Sequence, residues 1–469
     1  MSRIVHSRAS AHRAHLAVAA FAIALIAPIA LSPTAQATAG PSYATYTGAT
    51  ADGSAVKARV PADWNGVLLI WSHGYQQAGD PAVPPTSRIA TDARAEADAQ
   101  ALLADGFAIA GSSYSRRGFA TLEGVRADEQ LYAWFSGKAG TPDALYMWGE
   151  SLGGLITELF AEKHPALVDG VLQLGAVVGG TLRNFDLSLD YEVMVKRLID
   201  PSLKLTNYTS YAEASTAFSH AYATILGALG STDNAVKSRM VSRLLAIQLL
   251  LDGPSKSLHY DGVGLTNSVS AAVETVASGL FYSTVDRFEI EKRVGGNPST
   301  NLTVDYRHRI SAADLTRYAS FGFGSALLGS YAQSVQTFGA RVAANSAART
   351  KLAALGTPTG RITAPTVNMH TAYDPLVVVQ NQRVFAGTVA AAGRSSLLQT
   401  FITVPPTTYV GSAPYGAGHV NFTTTEVLGA LEGLDAWSVT GTRTPAVAWA
   451  ALIGPEASTN YAVAAWPVK

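Results

Sequence analysis

The chain has 469 residues, 48% of them hydrophobic, and its 34 Lys and Arg residues balance 34 Asp and Glu residues. Zero net charge argues against nucleic acid as a partner, because that binding depends on clustered Lys and Arg. The apolar fraction excludes a wholly disordered chain. The absence of cysteine excludes disulfides, thiolate nucleophiles and Cys-ligated zinc.

The first 39 residues have the pattern of an export signal. Three arginines precede an apolar run over 16–31, and small residues follow at 35–39 with the spacing of a signal-peptidase site. This run is shorter than the ~20 residues that span a bilayer, so an uncleaved membrane anchor is the weaker alternative. No later segment reaches eighteen consecutive apolar residues. We therefore expect a secreted protein without stable membrane insertion.

Strand and helix patterns alternate along the part of the chain that follows. The patterns predict strands over 66–72, 107–112, 145–148 and 168–174 and helices over 86–105, 119–136 and 151–163, and the strand rhythm resumes at 364–371 and 398–404. This alternation is typical of a parallel sheet that helices cover on both faces. The predicted fold class is therefore α/β.

Helical patterns dominate between about Gly180 and Gly356. We interpret 180–356 as a helical cap that interrupts a core formed by residues 40–179 and 357–469. An alternative is an independent helical domain hinged at the glycines that flank the insertion. The cap is expected to supply an acyl pocket; the candidates for its lining, for which ordinary core packing is equally acceptable, are Tyr318, Phe321, Phe323 and Tyr331.

A glycine-flanked serine follows the strand predicted to end at Trp148. Residues 149–153 read Gly-Glu-Ser-Leu-Gly, and a helical pattern begins directly afterwards. A sharp strand-to-helix turn leaves no room for side chains beside its central residue and exposes that residue above the sheet. The positive end of the helix also points at the site. The sequence therefore predicts Ser151 as a nucleophile; the alternative is a glycine-rich turn without a catalytic role.

A serine nucleophile needs a base, and a turn of this kind is followed in the chain first by an acid and then by a histidine. His419 is the histidine that follows the resumed sheet, in a glycine-containing loop over 415–418. The flexibility of the glycines suits a loop that brings an imidazole onto the serine. The alternative is a surface histidine in a turn.

Asp374 is the candidate acid that orients His419. It follows the strand predicted over 364–371 and precedes the histidine by 45 residues. Its alternative role is to cap a helix that begins at Pro375, where proline is favoured. Asp186 and Asp190 are more distant rivals for the acid.

The oxyanion of an acyl-transfer reaction needs two backbone donors. One predicted donor is the N–H of Leu152, directly after the serine, and the other is the N–H of Tyr75, in the loop after the strand ending near Ser72. The alternative is a tight turn at this loop that requires only Gly74.

Together these segments resemble the α/β-hydrolase superfamily, over residues 55–180 and 360–435. They are most similar to secreted bacterial serine esterases with a large helical cap. The matching segments are His73-Gly74-Tyr75, Gly149-Glu150-Ser151-Leu152-Gly153-Gly154, Tyr373-Asp374-Pro375 and Gly418-His419. The resemblance implies a mostly parallel sheet flanked by helices with a helix-rich cap. The loop departs from the HGGG pattern of some lipases and esterases, because Tyr75 occupies its third position.

We expect a serine hydrolase that cleaves a small-molecule or polymeric carboxylic ester through an acyl-enzyme, with Ser151, His419 and Asp374 as its triad. A peptidase, an amidase or an acyltransferase would use the same residues, and a non-catalytic binding module is the alternative from another class. No metal or nucleotide cofactor is expected, because the HExxH, GxGxxG and GxxxxGK motifs are absent.

Overall fold

The computed structural model describes residues 40–79, 90–251, 264–372, 374, 376–403, 418–454, 457–459 and 462–466. The predicted export signal over 1–39 lies outside these residues. So do Tyr373, Pro375 and the loop residues 415–417.

A nine-stranded sheet runs through the described part of the chain, in the order β1-β2-β4-β3-β5-β6-β7-β8-β9. The strands are β1 Tyr43–Ala49, β2 Ala55–Pro61, β3 Val67–Ser72, β4 Ala108–Ser112, β5 Ala144–Glu150, β6 Gly170–Leu174, β7 Thr366–Thr371, β8 Leu398–Thr403 and β9 Ala457–Ser458. The strands from β4 to β8 in this order are parallel to one another. The β1–β2, β2–β4 and β8–β9 pairs are antiparallel.

Thirteen α-helices lie in the described residues. They are α1 Glu96–Ala104, α2 Thr121–Ala139, α3 Leu152–Lys163, α4 Thr181–Leu198, α5 Tyr211–Leu229, α6 Asn234–Leu250, α7 Leu265–Val294, α8 Ala312–Ser320, α9 Ser325–Phe338, α10 Ser346–Leu355, α11 Gln380–Ala391, α12 Thr424–Thr440 and α13 Ala446–Ile453.

The central strands are apolar on both faces because helices cover both faces. Along β3, Leu68 and Ile70 pack with side chains of α2 and α3 on one side. The alternate residues Leu69 and Trp71 pack with α1, α12 and α13 on the other. The sheet is therefore the middle layer of an α/β fold, as the alternation of strand and helix patterns predicts.

Residues 86–89 of the helix predicted over 86–105 lie outside the described residues, residues 90–95 are not helical, and the helix begins at Glu96. Arg59 of β2 binds the carboxylate of Asp92 at 2.7 and 2.9 Å. A Cβ atom on Gly111 would lie 1.9 Å from the carbonyl oxygen of Thr91. These contacts hold the segment before Glu96 against β2 and β4 as a loop, and helical spacing in the sequence does not reveal them.

The segment between β6 and β7 consists of helices α4 to α10 and connecting loops in its described part. Its side chains form a hydrophobic cluster of their own, which includes Met194, Leu244, Leu280, Tyr306 and Val335. Ion pairs join it to the sheet-bearing part: Arg116 to Glu289 at 2.7 Å and Glu123 to Arg293 at 2.8 Å. The helices of this segment therefore lie against the region around α2.

None of the helices within the described ranges combines the length and the apolar composition that crossing a membrane requires.

Candidate active site

Ser151 occupies a sharp turn between the end of β5 at Glu150 and the start of α3 at Leu152. Its backbone has φ 54° and ψ −119°, a left-handed conformation that is uncommon outside glycine. The turn is fixed by the Ser151 N–H, which donates to the Leu174 carbonyl at 2.8 Å. The strained serine therefore lies at the carboxyl edge of the sheet.

Glycines on both sides of Ser151 make this turn sterically feasible. A Cβ atom on Gly153 would lie 1.9 Å from the carbonyl oxygen of Ser72, and one on Gly149 would lie 2.7 Å from the same atom. A Cβ atom on Gly154 would meet the Cβ of Ala176 at 2.5 Å. The prediction that the turn leaves no room for side chains at its flanks is confirmed.

Asp374 and His419 form a hydrogen-bonded pair. The Nδ1 atom of His419 lies 2.7 Å from Oδ2 of Asp374, which is completely buried. Burial raises the pKa of the Asp374 carboxyl, but the charge and hydrogen bond of His419 lower it more, so the net pKa lies below its ordinary value. An ionised Asp374 favours the His419 tautomer with a proton on Nδ1, which leaves Nε2 as the basic atom.

The other oxygen of Asp374 caps a turn, not the start of a helix as the alternative had it. Oδ1 accepts hydrogen bonds from the backbone N–H groups of Leu376 at 2.8 Å and Val377 at 2.9 Å. Capping and orientation of His419 therefore coexist in one carboxylate. The expectation of a helix start at Pro375 is wrong, because α11 begins at Gln380. Three consecutive valines at 377–379 have low helix propensity.

The rival acids lie in ion pairs within the helical segment. Asp186 binds Arg349 at 2.9 Å, and Asp190 binds Arg309 at 2.5 Å. Asp374 is the acid that the structure places beside His419.

The imidazole of His419 is poised to accept a proton. Burial lowers its pKa, but the charge of Asp374, their hydrogen bond and the charge of Glu150 raise it, and the net pKa is raised. The buried Nε2 atom has no hydrogen-bond partner in the part of the chain that the structure describes. Nε2 therefore makes no hydrogen bond to the Ser151 hydroxyl in this structure. Catalytic hydrogen bonds of this kind often form or shorten only when substrate binds.

A second histidine supports Asp374 from within β7. Nε2 of His370 lies 2.8 Å from the Val377 carbonyl oxygen and 3.9 Å from Oδ2 of Asp374. Burial lowers the pKa of His370, which keeps the ring neutral with its proton on Nε2 to donate to Val377. Sequence reasoning missed this residue, whose only signal is its position in the strand that precedes Asp374.

The loop after β3 runs beside the turn at Ser151. A Cβ atom on Gly74 would lie 3.5 Å from Cβ of Ser151. The Tyr114 hydroxyl donates to the His73 carbonyl at 3.0 Å, and the two rings stack with centroids 3.9 Å apart. This packing holds the loop where the Tyr75 N–H is predicted to act. The roles of the Tyr75 and Leu152 N–H groups as oxyanion donors stay predictions.

A cavity of about 170 Å³ opens at Ser151. The sheet-bearing part and the helical segment both contribute to its wall. Its lining residues are Tyr75, Phe119, Ser151, Leu152, Val177, Asn184, Phe185, Leu187, Ser188, Tyr191, Leu251, Thr275, Gly279, Tyr282, Asp286, Ile290, Leu376, Val377 and Val378.

One face of α7 supplies much of this wall. Gly279, Tyr282, Asp286 and Ile290 recur at spacings of three and four residues, which places them on one side of a helix. The tyrosines and phenylalanines at 318, 321, 323 and 331, named above as candidates for the lining, pack in the hydrophobic cluster of the helical segment instead. Tyr318, for example, donates to the Ser242 carbonyl at 3.0 Å. The alternative of ordinary core packing therefore holds for these four residues, since aromatic composition does not say which way a helix faces.

No group of three or more metal-ligating side chains occurs within the residues described.

Comparisons with known proteins find esterases among solved structures. No family model matches the chain, and no curated protein matches it. An esterase from Aspergillus oryzae is 14% identical, with 83% of this chain and 78% of that chain covered and a TM-score of 0.41. Feruloyl esterase B from Aspergillus oryzae is 12% identical, with 85% and 80% covered and a TM-score of 0.39. Brefeldin A esterase, described as a bacterial homologue of human hormone-sensitive lipase, is 14% identical, with 89% and 80% covered and a TM-score of 0.36.

The chain's own features show its fold. The central strands are parallel, with antiparallel strands at both edges. A strained serine links β5 to α3, and an aspartate and then a histidine follow in chain order. The chain therefore has the α/β-hydrolase fold.

Proposed function

We propose that this protein is a secreted serine hydrolase that cleaves carboxylic esters through an acyl-enzyme. The observation that carries the proposal is the placement of a strained Ser151 at the sheet edge where Asp374 binds His419 at 2.7 Å. A backbone conformation this unfavourable for serine persists only where the surrounding structure imposes it, and such residues cluster at active sites.

In the proposed reaction, Ser151 Oγ attacks the ester carbonyl while Nε2 of His419 takes the hydroxyl proton. The N–H groups of Tyr75 and Leu152 stabilise the oxyanion. His419 then gives its proton to the leaving alcohol, and the acyl group stays on Ser151. Water, activated by His419 in the same way, releases the acid. Asp374 holds the imidazole in the productive orientation throughout.

Ester substrates suit the cavity at Ser151 better than peptides do. Aromatic and aliphatic side chains dominate its lining, which favours a hydrophobic acyl group or alcohol. Extended peptides are often held through backbone hydrogen bonds to a strand, whereas this wall is formed largely by helix side chains. A peptidase, an amidase or an acyltransferase with the same triad is the alternative that the assays must separate.

We also propose that residues 180–356 act as a cap that controls which esters reach Ser151. The support is the wall of the cavity, to which residues of α4 and α7 contribute beside Ser151 and Leu152. Ligands of α/β sheets bind beyond the carboxyl ends of the strands, and this segment leaves the sheet at the carboxyl end of β6.

Hydrolysis of p-nitrophenyl acetate, with peptide p-nitroanilides alongside, tests the proposed activity. Wild-type protein should hydrolyse the ester and leave the amides intact, and added alcohols should not compete with water. Ser151→Ala should lower kcat by roughly 10⁶. Ser210→Ala, which removes a helix cap at the start of α5, is the matched control and should retain full activity.

Secretion has its own experiment. Expression of the full chain in a bacterial host should release a protein whose N-terminus, read by sequencing, lies near residue 40. Retention of residues 1–39 on a membrane-bound product would contradict the proposed export.

A further inference from the structure

Asp286 is a buried acid in the wall of the cavity that opens at Ser151. It lies on α7, is 5% exposed, and shares the cavity with Tyr75 and Tyr282. The proposed triad does not use its carboxyl group. Most of the surrounding wall is apolar, so the carboxyl group needs an explanation of its own.

Two polar atoms at this point of the wall have no hydrogen-bond partner in the described part of the chain. The Tyr75 hydroxyl lies beside the Asp286 carboxyl, close enough to lower its pKa. Yet neither Tyr75 Oη nor Asp286 Oδ2 makes a hydrogen bond within the described ranges. Each buried polar atom left in this state costs free energy unless a partner arrives.

The surroundings of the Asp286 carboxyl group favour its protonated, neutral form. Burial and, to a smaller extent, the charge of Glu289 on the same helix raise its pKa to about 8, although the Tyr75 hydroxyl lowers it. The cations beside Glu289 pair with other acids, because Arg116 binds Glu289 at 2.7 Å and Arg293 binds Glu123 at 2.8 Å. A protonated carboxyl both donates and accepts hydrogen bonds, as a hydroxyl group requires of its partner.

Two other buried acids of the helical segment have arginines as partners. Glu192 lies 3.0 Å from Arg287, and Asp190 lies 2.5 Å from Arg309. Asp286 differs from these acids in facing the cavity instead of an arginine. A role in stability alone does not account for it, because an apolar residue of similar size would avoid the cost of burying an unpaired polar group.

We propose that Asp286 and the Tyr75 hydroxyl form a hydrogen-bonding subsite that binds a hydroxyl group on a ring-sized part of the ester. This inference rests on the proposed function and names its substrate class. A cavity of about 150 Å³ accommodates benzene, and the cavity here has about 170 Å³.

Aromatic side chains surround the space in which the ring would lie. Tyr75 meets Tyr282 edge to face, with centroids 5.3 Å apart, and Phe119 meets Phe185 in the same way at 5.3 Å. Such walls favour an aromatic guest. The Tyr75 backbone lies in the loop beside Ser151, so its hydroxyl is one tyrosine side chain away from the site of attack. The ring and its hydroxyl group therefore belong a few bonds from the scissile carbonyl.

The test compares kcat/KM for two esters that differ only in one hydroxyl group: p-nitrophenyl 3-(4-hydroxyphenyl)propanoate and p-nitrophenyl 3-phenylpropanoate. Wild-type protein should prefer the hydroxylated ester at least about tenfold, because a site built for a hydroxyl rejects the analogue that lacks it. Asp286→Leu should abolish the preference, whereas Asp286→Asn, which still donates and accepts, should retain it.

Two further variants separate recognition from stability. Tyr75→Phe keeps the backbone N–H and removes the hydroxyl, so it should lower the preference even where Asp286→Leu fails to fold. Glu291→Gln is the matched control, because Glu291 is a buried acid on the same helix that binds the Asn207 N–H and does not line the cavity. It should leave the preference unchanged.

Each outcome bears on one proposal. If wild-type protein has nearly equal kcat/KM for the hydroxylated ester and its analogue and still hydrolyses p-nitrophenyl acetate, the subsite is overturned and the proposed ester hydrolase activity is not. If no ester is hydrolysed, the proposed function fails, and calorimetric binding of 3-(4-hydroxyphenyl)propan-1-ol and 3-phenylpropan-1-ol still tests the subsite. Equal affinity for the two alcohols would overturn it, and tighter binding of the phenol that Asp286→Leu abolishes would support it.

Discussion

The carboxylate of Asp374 binds Nδ1 of His419 with one oxygen, at 2.7 Å, while its other oxygen accepts two backbone N–H groups. Both oxygens are therefore fixed, and the imidazole cannot rotate without breaking the bond. His370 lies behind the pair, 3.9 Å from the same Oδ2 atom. This arrangement is the strongest structural support for a catalytic base at His419, and it leads to the predictions that follow.

Asp374→Asn should lower kcat for p-nitrophenyl acetate by roughly 10⁴, because an amide does not hold the imidazole in the productive tautomer. Steady-state kinetics measures the loss, and circular dichroism confirms the fold. Asp186→Asn is the control, since it disturbs the ion pair with Arg349 and should leave kcat unchanged. A silent Asp374→Asn would mean that the acid has been misassigned.

The pH profile should show an acid limb set by His419. The groups that face it are Asp374, Glu150 and His370. Because Asp374 and Glu150 raise the pKa of His419 above the ordinary ~6.5, activity should be lost as pH falls below a midpoint higher than that value. Initial rates of kcat/KM across pH measure this midpoint.

Glu150→Gln provides the internal check on the pH profile. Removal of this carboxylate takes away one contribution that raises the pKa of His419. The acid limb should therefore shift to lower pH. A shift in the opposite direction would contradict the electrostatic account of the site.

Gly153→Ala should disrupt the turn at Ser151, because the new Cβ atom would lie 1.9 Å from the Ser72 carbonyl oxygen. The expected result is loss of activity with a lowered Tm. Gly137→Ala is the matched control: Gly137 lies in α2 with nothing within 4 Å of its added Cβ. It should stabilise the protein by about 0.5–1 kcal/mol. Thermal unfolding measures the Tm of both variants. An unchanged Tm and activity for Gly153→Ala would contradict the geometry of the turn.

Ile290→Ala should change the preference for acyl chain length, because a smaller side chain at this position of α7 enlarges the cavity. The ratio of kcat/KM for a long ester over p-nitrophenyl acetate should rise. Tyr318→Phe, in the hydrophobic cluster of the helical segment, should leave the ratio unaltered. An identical ratio in Ile290→Ala and wild type would argue against a role of this segment in substrate selection.

The parallel sheet and the turn at Ser151 are predictable from sequence because their signals are local. Apolar runs bounded by helical patterns predict the strands from β3 to β8, and the glycines at 149 and 153 reflect contacts within one turn. The antiparallel strands β1 and β2 were missed. β1 is largely exposed and lacks a continuous apolar run, so its pairing with β2 leaves little trace in composition.

The remainder of the site depends on contacts between distant residues, which composition does not encode. Part of the cavity wall comes from one face of α7, which contributes a glycine, a tyrosine, an aspartate and an isoleucine. No apolar stripe marks that face. Asp286 and His370 were missed for the same reason, since their surroundings come from elements far away in sequence.

Covalent trapping tests the central claim most directly. The protein is treated with a fluorophosphonate, digested and analysed by mass spectrometry to locate the phosphonylated residue. The account predicts a single label on Ser151, formed far more slowly in Asp374→Asn, whose base is misoriented. A label on another residue, or ester hydrolysis by a protein that takes up no label at Ser151, would contradict it.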